Sequence, residues 1–257
     1  MPLLPLVAVL LAAGCGLPPP DPEAPSFVLL TWNLHFEVSG HPDAARVIRA
    51  SGADLVLVQE CNEEWQARLD EDLGDLYPHR EWVLSGLNGG IGVLSRTPVS
   101  EVEPLPSPLD WFPAVRVSID TAIGPLQILG VHLHPPVSEA GSLLAGAFTT
   151  ADDRLREICD YRSALRADTP AVIAGDFNAG PWEPAVRALA VEGWRDAVSR
   201  AHPFGMTWRG RIRDILPAAA QIDHVLVPAD LCAVDVRILH DGPSDHWPVR
   251  VAIQPCR

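Results

Sequence analysis

Lysine is absent from this 257-residue chain: all 19 positively charged side chains are arginine, set against 33 carboxylates for a formal charge of −14. That absence excludes a Schiff-base lysine, lysine-bound pyridoxal phosphate and a phosphate-loop NTPase with its usual lysine. The acidic balance excludes tight nonspecific DNA binding by bulk charge, which rests on dense Lys/Arg contacts to phosphate, while leaving room for local basic patches. Long apolar runs are missing too. The run at 3–17 (LLPLVAVLLAAGCGL) is shorter than the roughly 18 residues of a spanning helix, and Pro5 interrupts it. Cysteine is scarce, at five, and no Cys-x-x-Cys pair suggests zinc or redox work. What is present is 47% hydrophobic content, enough for one domain, or at most two, with a sizeable core. The surplus of carboxylates suits hard divalent cations that prefer oxygen ligands.

Residues 1–14 read as a signal peptide. Ala12-Ala13-Gly14-Cys15 resembles a bacterial lipoprotein processing site, which implies a lipid on Cys15 and membrane contact through it. The match departs twice: Ala12 stands where Leu is usual, and no Arg or Lys precedes the apolar stretch. An ordinary cleaved signal is the other reading, since Ala12 and Gly14 also suit general cleavage. Export is expected either way, with a bacterial cell-envelope lipoprotein preferred over a secreted or periplasmic soluble protein. The proline-rich stretch LPPPDPEAPS (17–26) reads as a stiff spacer over 15–25 that holds a domain at 26–257 off a membrane. Without Cys15, the remaining Cys61, Cys159, Cys232 and Cys256 permit two disulfides in an oxidising compartment. Cys232 and Cys256 flank two strand-like runs and are the preferred pair; free buried thiols are the alternative.

Beyond the spacer, short β-branched apolar runs alternate with longer Arg/Glu-bearing stretches, as in an α/β domain. Strands are expected at 27–35, 53–60, 89–96, 114–120, 126–134, 171–178, 222–227 and 246–253, and helices at 42–51, 62–73, 151–166 and 182–191. Repeats and internal linkers are not evident. Asn33 with His35, Glu60, His132 with His134, and Asp176 with Asn178 close apolar runs, whereas Asp223, Asp245 and His246 open the last two. One site can gather them all only if the last two strands run opposite to the earlier ones, so a mixed sheet system is expected.

Taken singly these residues have ordinary readings. A strand-end Asp-x-Asn is commonly a turn, Glu60 could cap a helix, Asn33 could brace a loop, and a lone histidine is usually a satisfied core residue. In GDFNA (175–179), period-two alternation is expected to point Asp176 and Asn178 to one face. The ordered series TWNLH, QE, GIGVLSR, VHLHP, GDFNA, TW, IDHVLV and SDHWPV, spanning 27–253, resembles the endonuclease/exonuclease/phosphatase superfamily, which includes deoxyribonuclease I-like enzymes. GDFNA with a terminal SDHWPV is its most specific part. The resemblance implies a four-layered α/β/β/α sandwich with two mixed β-sheets and a rim site. It implies Glu60 as principal ligand of Mg2+ or Mn2+, assisted by Asn33 and Asp245. Asp176 would orient or deprotonate the attacking water, and Asn178 would bind a nonbridging phosphate oxygen. His246, fixed by Asp223, would contact the phosphate or act as general base, and His132 would stabilise developing charge.

His35 stands where several members carry an Asp, which puts a second acidic ligand in doubt, although imidazole is a good ligand for manganese or zinc. His134, expected on the same strand face as His132, would complete an imidazole-rich wall; its other reading is a local hydrogen bond beside Pro135 and Pro136. Relatives place a substrate-facing loop around Thr207. The following TWRGRIRD offers Arg209, Arg211 and Arg213 at alternate positions, suited to phosphate or to a solvated strand edge. Leu143, Leu144 and Phe148 in the 137–150 loop would touch lipid or fold over the core. The function expected is divalent-metal-dependent phosphodiester hydrolysis without a covalent intermediate, with nucleic acid favoured as the substrate. A phospholipid or inositol-phosphate hydrolase is the alternative. An inactive surface binding protein is disfavoured by the complete set Glu60, Asp176, Asn178, Asp223, Asp245 and His246.

Overall fold

Period-two alternation in the strands distributes apolar side chains to both faces, so each sheet must be covered twice. In β1 (Phe27–Asn33), Leu29 faces one way and Leu30 and Trp32 the other, all fully buried. The computed structural model describes residues 16–136, 146, 149–212 and 216–256. The expected signal peptide at 1–14, Cys15, Leu143, Leu144, Phe148 and Arg213 lie outside the described residues.

After β1 come α1 (Asp43–Ser51), β2 (Leu55–Cys61), α2 (Glu63–Leu73), β3 (His79–Val83) and β4 (Gly90–Ser95). The second half begins with β5 (Val99–Leu105), β6 (Ala114–Thr121), β7 (Gly124–His132), α3 (Ala151–Ser163), β8 (Ala171–Asp176) and α4 (Pro184–Val191). It continues through β9 (Arg195–Asp196), α5 (Ala197–Ala201), β10 (Trp208–Ile212), β11 (Leu216–Ala220), β12 (Asp223–Val227), β13 (Leu231–Ile238) and β14 (Val249–Pro255). One six-stranded sheet has the order β13-β14-β1-β2-β4-β3 and the other β5-β6-β7-β8-β12-β9, with β10-β11 a separate hairpin.

Three apolar clusters define the layers. Leu29, Leu57, Ile128, Val172 and Val225 pack between the sheets. Leu30, Trp32, Val56 and Val58 pack outward against Ile48 of α1 and Trp65 and Leu69 of α2. Leu129, Val131 and Ile173 pack outward against Ile158 and Tyr161 of α3 and Leu189 of α4. Each fully buried side chain of this kind contributes about 1.5–3 kcal/mol. The result is a four-layered α/β/β/α sandwich with two mixed sheets, as the sequence motifs imply. β1 and β2 are parallel, as are β7 and β8, while β14 and β12 run antiparallel to their neighbours β1 and β8. The C-terminal ends of four central strands and the N-terminus of β12 therefore meet at one rim.

The four expected helices are present, with α3 ending three residues early. Asn62, whose side chain accepts from the Trp65 N–H at 3.0 Å, caps α2, so Glu60 is not spent as a cap. Expected strands end early where the site begins: at Asn33, His132 and Asp176, and the last starts only at Val249. β3 and β5 lie on sheet edges, where charged residues and Pro104 obscure the alternation that marks a strand.

The proline-rich stretch does not project as a free spacer. Leu17 packs against the inter-sheet core, and Asp21 and Gln254 exchange two hydrogen bonds of 3.0 and 2.9 Å. Gln254 lies at the end of β14 that pairs with the start of β1, so this segment is docked opposite the rim. The Cys232–Cys256 disulfide closes the same end, while Cys61, buried, and Cys159, exposed, are free thiols.

Candidate active site

Strand parity aims the site inward. Asn33 shares a face with Leu29, His132 with Ile128, Asp176 with Val172 and Asp223 with Val225, so each points into the space between the sheets. A buried Gln59–Thr31 hydrogen bond of 3.1 Å lies one residue pair below, where the apolar core gives way to polar groups. GDFNA needs its glycine: Gly175 has φ +144°, and a Cβ there would lie 2.0 Å from the Val131 carbonyl oxygen.

Glu60 reaches the site against its parity. It alternates with the outward-facing Val56 and Val58, but a register shift between Gln59 and Cys61 and a φ of +58° turn its carboxylate to the rim. There Oε1 accepts from Asn33 Nδ2 and Oε2 from the Phe36 N–H, both at 3.0 Å. His35 (φ 60°) and Asn178 (φ 49°) are also left-handed. Such a backbone costs a non-glycine residue on the order of 1–2 kcal/mol, so the surrounding packing holds three site residues in strained geometry.

Two groups of side chains result. In the outer group, His35 Nδ1 lies 3.3 Å from Asp245 Oδ1 and 4.0 Å from Glu60 Oε2. The Asp245, His35 and Glu60 side chains are 33%, 27% and 15% exposed. Trp208 Nε1 donates to Asp245 Oδ2 at 2.8 Å, and the His35 N–H donates to Asn33 Oδ1 at 2.9 Å. In the inner, buried group, His246 Nδ1 contacts both Asp223 oxygens at 3.1 and 2.9 Å. Its Nε2 and His132 Nε2 each lie 3.7 Å from Asp176 Oδ2. Asn33 Nδ2 also donates to that oxygen at 3.0 Å and so joins the two groups.

The outer group fits a divalent cation. Two partly exposed carboxylates converge on one imidazole, which as a neutral ring can donate a proton to only one of them, leaving hard oxygen donors and access for metal-bound water. Asp176, Asp223 and His246 are also close enough together to ligate. That trio is already satisfied internally: Asp223 holds His246, and Asp176 accepts from Asn33 and from the Asn178 N–H at 2.8 Å. It reads as proton-handling machinery.

Burial pushes the Asp176 carboxyl above the usual range and nearby Asp223 adds to this, against the pull of His246 and His132. Burial alone would lower His246, but the Asp223 and Asp176 carboxylates overcome it and push the imidazole up to about 10. The charged form of His246 is thereby favoured between the Asp223 and Asp176 side chains.

Several expected roles are changed by the tertiary structure. Asn178 lies beyond the end of β8, not on its face; its left-handed backbone turns Nδ2 to the Leu133 carbonyl at 2.9 Å. His134 does not join a wall with His132, because β7 has ended: its Nδ1 lies 2.9 Å from the Pro135 carbonyl and its ring packs on Trp111. Thr207 is fully buried, and its hydroxyl accepts the N–H groups of Ile222 at 3.1 Å and Asp223 at 3.0 Å, making it a support of Asp223 and not a substrate contact. The Arg209 guanidinium lies 3.7 Å over the Trp247 ring, and the Arg209 backbone N–H donates to the Asp245 carbonyl at 2.9 Å. Arg211 is exposed on β10. Sequence reasoning missed Ser244, whose hydroxyl donates to the Asn33 carbonyl at 2.7 Å and accepts from the His246 N–H at 3.0 Å. Its place at the start of SDHWPV was the available signal. Phe112, stacked on His132 with ring centroids 4.6 Å apart, had none.

The sequence matches the Endonuclease/Exonuclease/phosphatase family over residues 30–246. Among solved structures, the chain is similar to an endonuclease/exonuclease/phosphatase from Beutenbergia cavernae DSM 12333, with a TM-score of 0.68 and 22% identity over 90% of this chain and 72% of that one. A Bacteroides thetaiotaomicron family protein gives a TM-score of 0.69 and 16% identity over 91% of this chain and 100% of that one. D. rerio TDP2, solved complexed with single strand DNA product, gives 0.70 and 14% over 89% and 99%. No curated protein matches this sequence. These structural likenesses carry the fold, and the family match covers most of the chain. The chain belongs to the endonuclease/exonuclease/phosphatase family, whose members are generally phosphoester hydrolases and typically depend on a divalent metal.

Proposed function

We propose that this protein is an exported, Mg2+- or Mn2+-dependent phosphodiesterase acting on DNA, RNA or their fragments. The observation that carries the reading is Asp176 Oδ2, 3.7 Å from the Nε2 atoms of both His132 and His246, beside the Glu60–His35–Asp245 group. A phosphoryl group in that opening meets a buried base and two imidazoles. Glu60, Asp245 and Asn33, with His35 alongside, would hold the metal, which supplies charge neutralisation at phosphate oxygen. Asp176, with its raised pKa, takes the proton of the water that attacks phosphorus in line with the leaving oxygen. His246, cationic and fixed by Asp223, faces the developing negative charge, and His132 stands opposite it. The second proton on the Asn178 amide, not engaged by Leu133, suits a nonbridging oxygen.

Nucleic acid is favoured as substrate by the arginine-bearing β10 beside His246, to which Trp208 is bridged. A fold neighbour solved with a single strand DNA product supports the same choice. The disulfide fits an oxidising compartment. With residues 17–24 docked at the far end, a tether at Cys15 would present the rim away from the membrane, which suits a soluble diester better than a headgroup of that bilayer.

The test is divalent-dependent hydrolysis of bis-p-nitrophenyl phosphate, with oligonucleotides and sphingomyelin or phosphoinositide vesicles compared under the same conditions. Glu60→Gln, which removes anionic charge from the metal group at constant size, should abolish metal-dependent turnover and leave the fold intact. Wild-type rates in that variant would remove Glu60 from the metal site, and cleavage of lipid but not oligonucleotide would overturn the substrate assignment.

A further inference from the structure

The loop between β5 and β6 carries two aromatic residues that the catalytic reading does not use. Phe112 stacks on His132 with centroids 4.6 Å apart and planes 24° apart. Trp111 packs on Phe112 at 5.0 Å and on His134 at 4.6 Å with planes 31° apart. The four rings form a block that begins at a histidine 3.7 Å from Asp176 and ends at an indole that is 41% exposed. Phe112 also wedges against the turn between β3 and β4, since a Cβ on Gly89 would lie 2.4 Å from its ring.

Helix α3 builds this block from below. Tyr161 donates its hydroxyl to the Phe112 carbonyl at 2.6 Å. One turn earlier, the Glu157 carboxylate accepts from Ser107 Oγ at 3.0 Å and from the His134 N–H at 2.7 Å. Both ends of the loop and the segment after β7 are thus pinned to one helix face. Within the block His132 Nδ1 is buried and has no partner among the described residues, so this histidine is not committed to the protein on that side. An exposed indole on a pre-set support presents a flat face with little ordering left to do on binding.

Resting on the phosphodiesterase reading of the same site, we infer that Trp111 is a specificity-determining residue, a shelf on which a nucleobase next to the scissile phosphate stacks. The shelf selects for a planar group on the diester without reading which base it is, because every base has a π-face. It adds affinity to a chain whose overall charge repels polyanions.

Binding is measured in an Asp176→Asn background with Mg2+, so that the strand is held and not cut. The probes are a thymidine tetranucleotide and an abasic tetrahydrofuran oligomer of the same length. Stacking on one aromatic ring is worth about 1–3 kcal/mol per base, so the base-bearing strand should bind roughly 5- to 150-fold tighter than the abasic one. Trp111→Ala should bring that ratio close to one, and so should Trp111→Leu, which keeps apolar bulk and guards against a packing effect. Trp111→Phe should restore most of it. An unchanged ratio in Trp111→Ala and Trp111→Leu, or no preference for bases in the parent, overturns the shelf. Wild-type hydrolysis of bis-p-nitrophenyl phosphate reports separately on the phosphodiesterase reading: base-selective binding without hydrolysis removes that reading and leaves the shelf.

Discussion

Replacing Asp223 by Asn tests how the site keeps His246 charged. Asp223 contacts His246 Nδ1 with both oxygens, at 3.1 and 2.9 Å, and its carboxylate is the largest of the influences that push this imidazole up to about 10. Burial opposes them, so loss of the Asp223 charge lets the pKa fall, with Asp176 the main remaining support. At pH 8.5 the wild-type imidazole is mostly protonated, whereas the variant has given up much of the charged form. Lost orientation of the ring adds to this, for a total of about 10²–10⁴ in kcat/KM at that pH, the usual worth of a positioned acid or base. Toward pH 5.5 the variant regains the proton and the deficit should shrink. The assay is kcat/KM for bis-p-nitrophenyl phosphate from pH 5.5 to 9 at saturating Mg2+. A basic limb that begins at lower pH in Asp223→Asn than in wild type is the expected result. Parallel profiles separated by a constant factor would refute the charge argument and leave Asp223 a purely structural support. The double variant with His246→Ala should be little worse than His246→Ala alone, because residues acting as a unit are not additive.

The buried His224–Asp196 pair should govern stability at the second sheet. His224 Nδ1 lies 2.9 Å from Asp196 Oδ2 and Nε2 2.8 Å from the Ala179 carbonyl, so only the imidazolium satisfies both acceptors. Burial lowers the His224 pKa but Asp196 more than offsets it; burial raises Asp196 but His224 holds it below the usual carboxylate range. The His224 contribution is complete below about pH 6.5 and is lost as pH rises through its raised folded value; the Asp196 contribution is complete above about pH 3.9 and is lost as pH falls through its lowered value. Asp196→Asn should therefore cost about 3–5 kcal/mol by urea unfolding near pH 5.5, with the gap narrowing as pH climbs; a gap independent of pH counts against the pair. For export, Cys15→Ser in a bacterial host should shift the protein from membrane to soluble fractions and remove any lipid mass. A wild-type protein already soluble and unacylated points to ordinary secretion.

The sequence by itself determined the architecture and most of the site's membership. Alternating apolar residues in β1, β2, β7, β8 and β12 can be satisfied only by covering both faces of each sheet, and the polar residues at the strand ends then fall on one rim with inward parity, as Asn33, His132, Asp176 and Asp223 do. What the chain could not disclose is where that alternation stops. Glu60 stands on the outward parity and reaches the site through a register shift and a left-handed backbone; Asn178 and His134 follow β8 and β7 on paper but leave their strands one or two residues earlier. A strained φ is set by neighbours that over-determine it, here Asn33, the Phe36 N–H and the Leu133 carbonyl, which come from distant segments. The roles of Thr207, Ser244 and Phe112 were decided in the same way, by contacts across 16, 211 and 20 positions of chain that no local pattern records. Local periodicity follows from single-residue preferences and is written in the sequence; the last turn of backbone at each strand end follows from packing, and only the folded chain contains it.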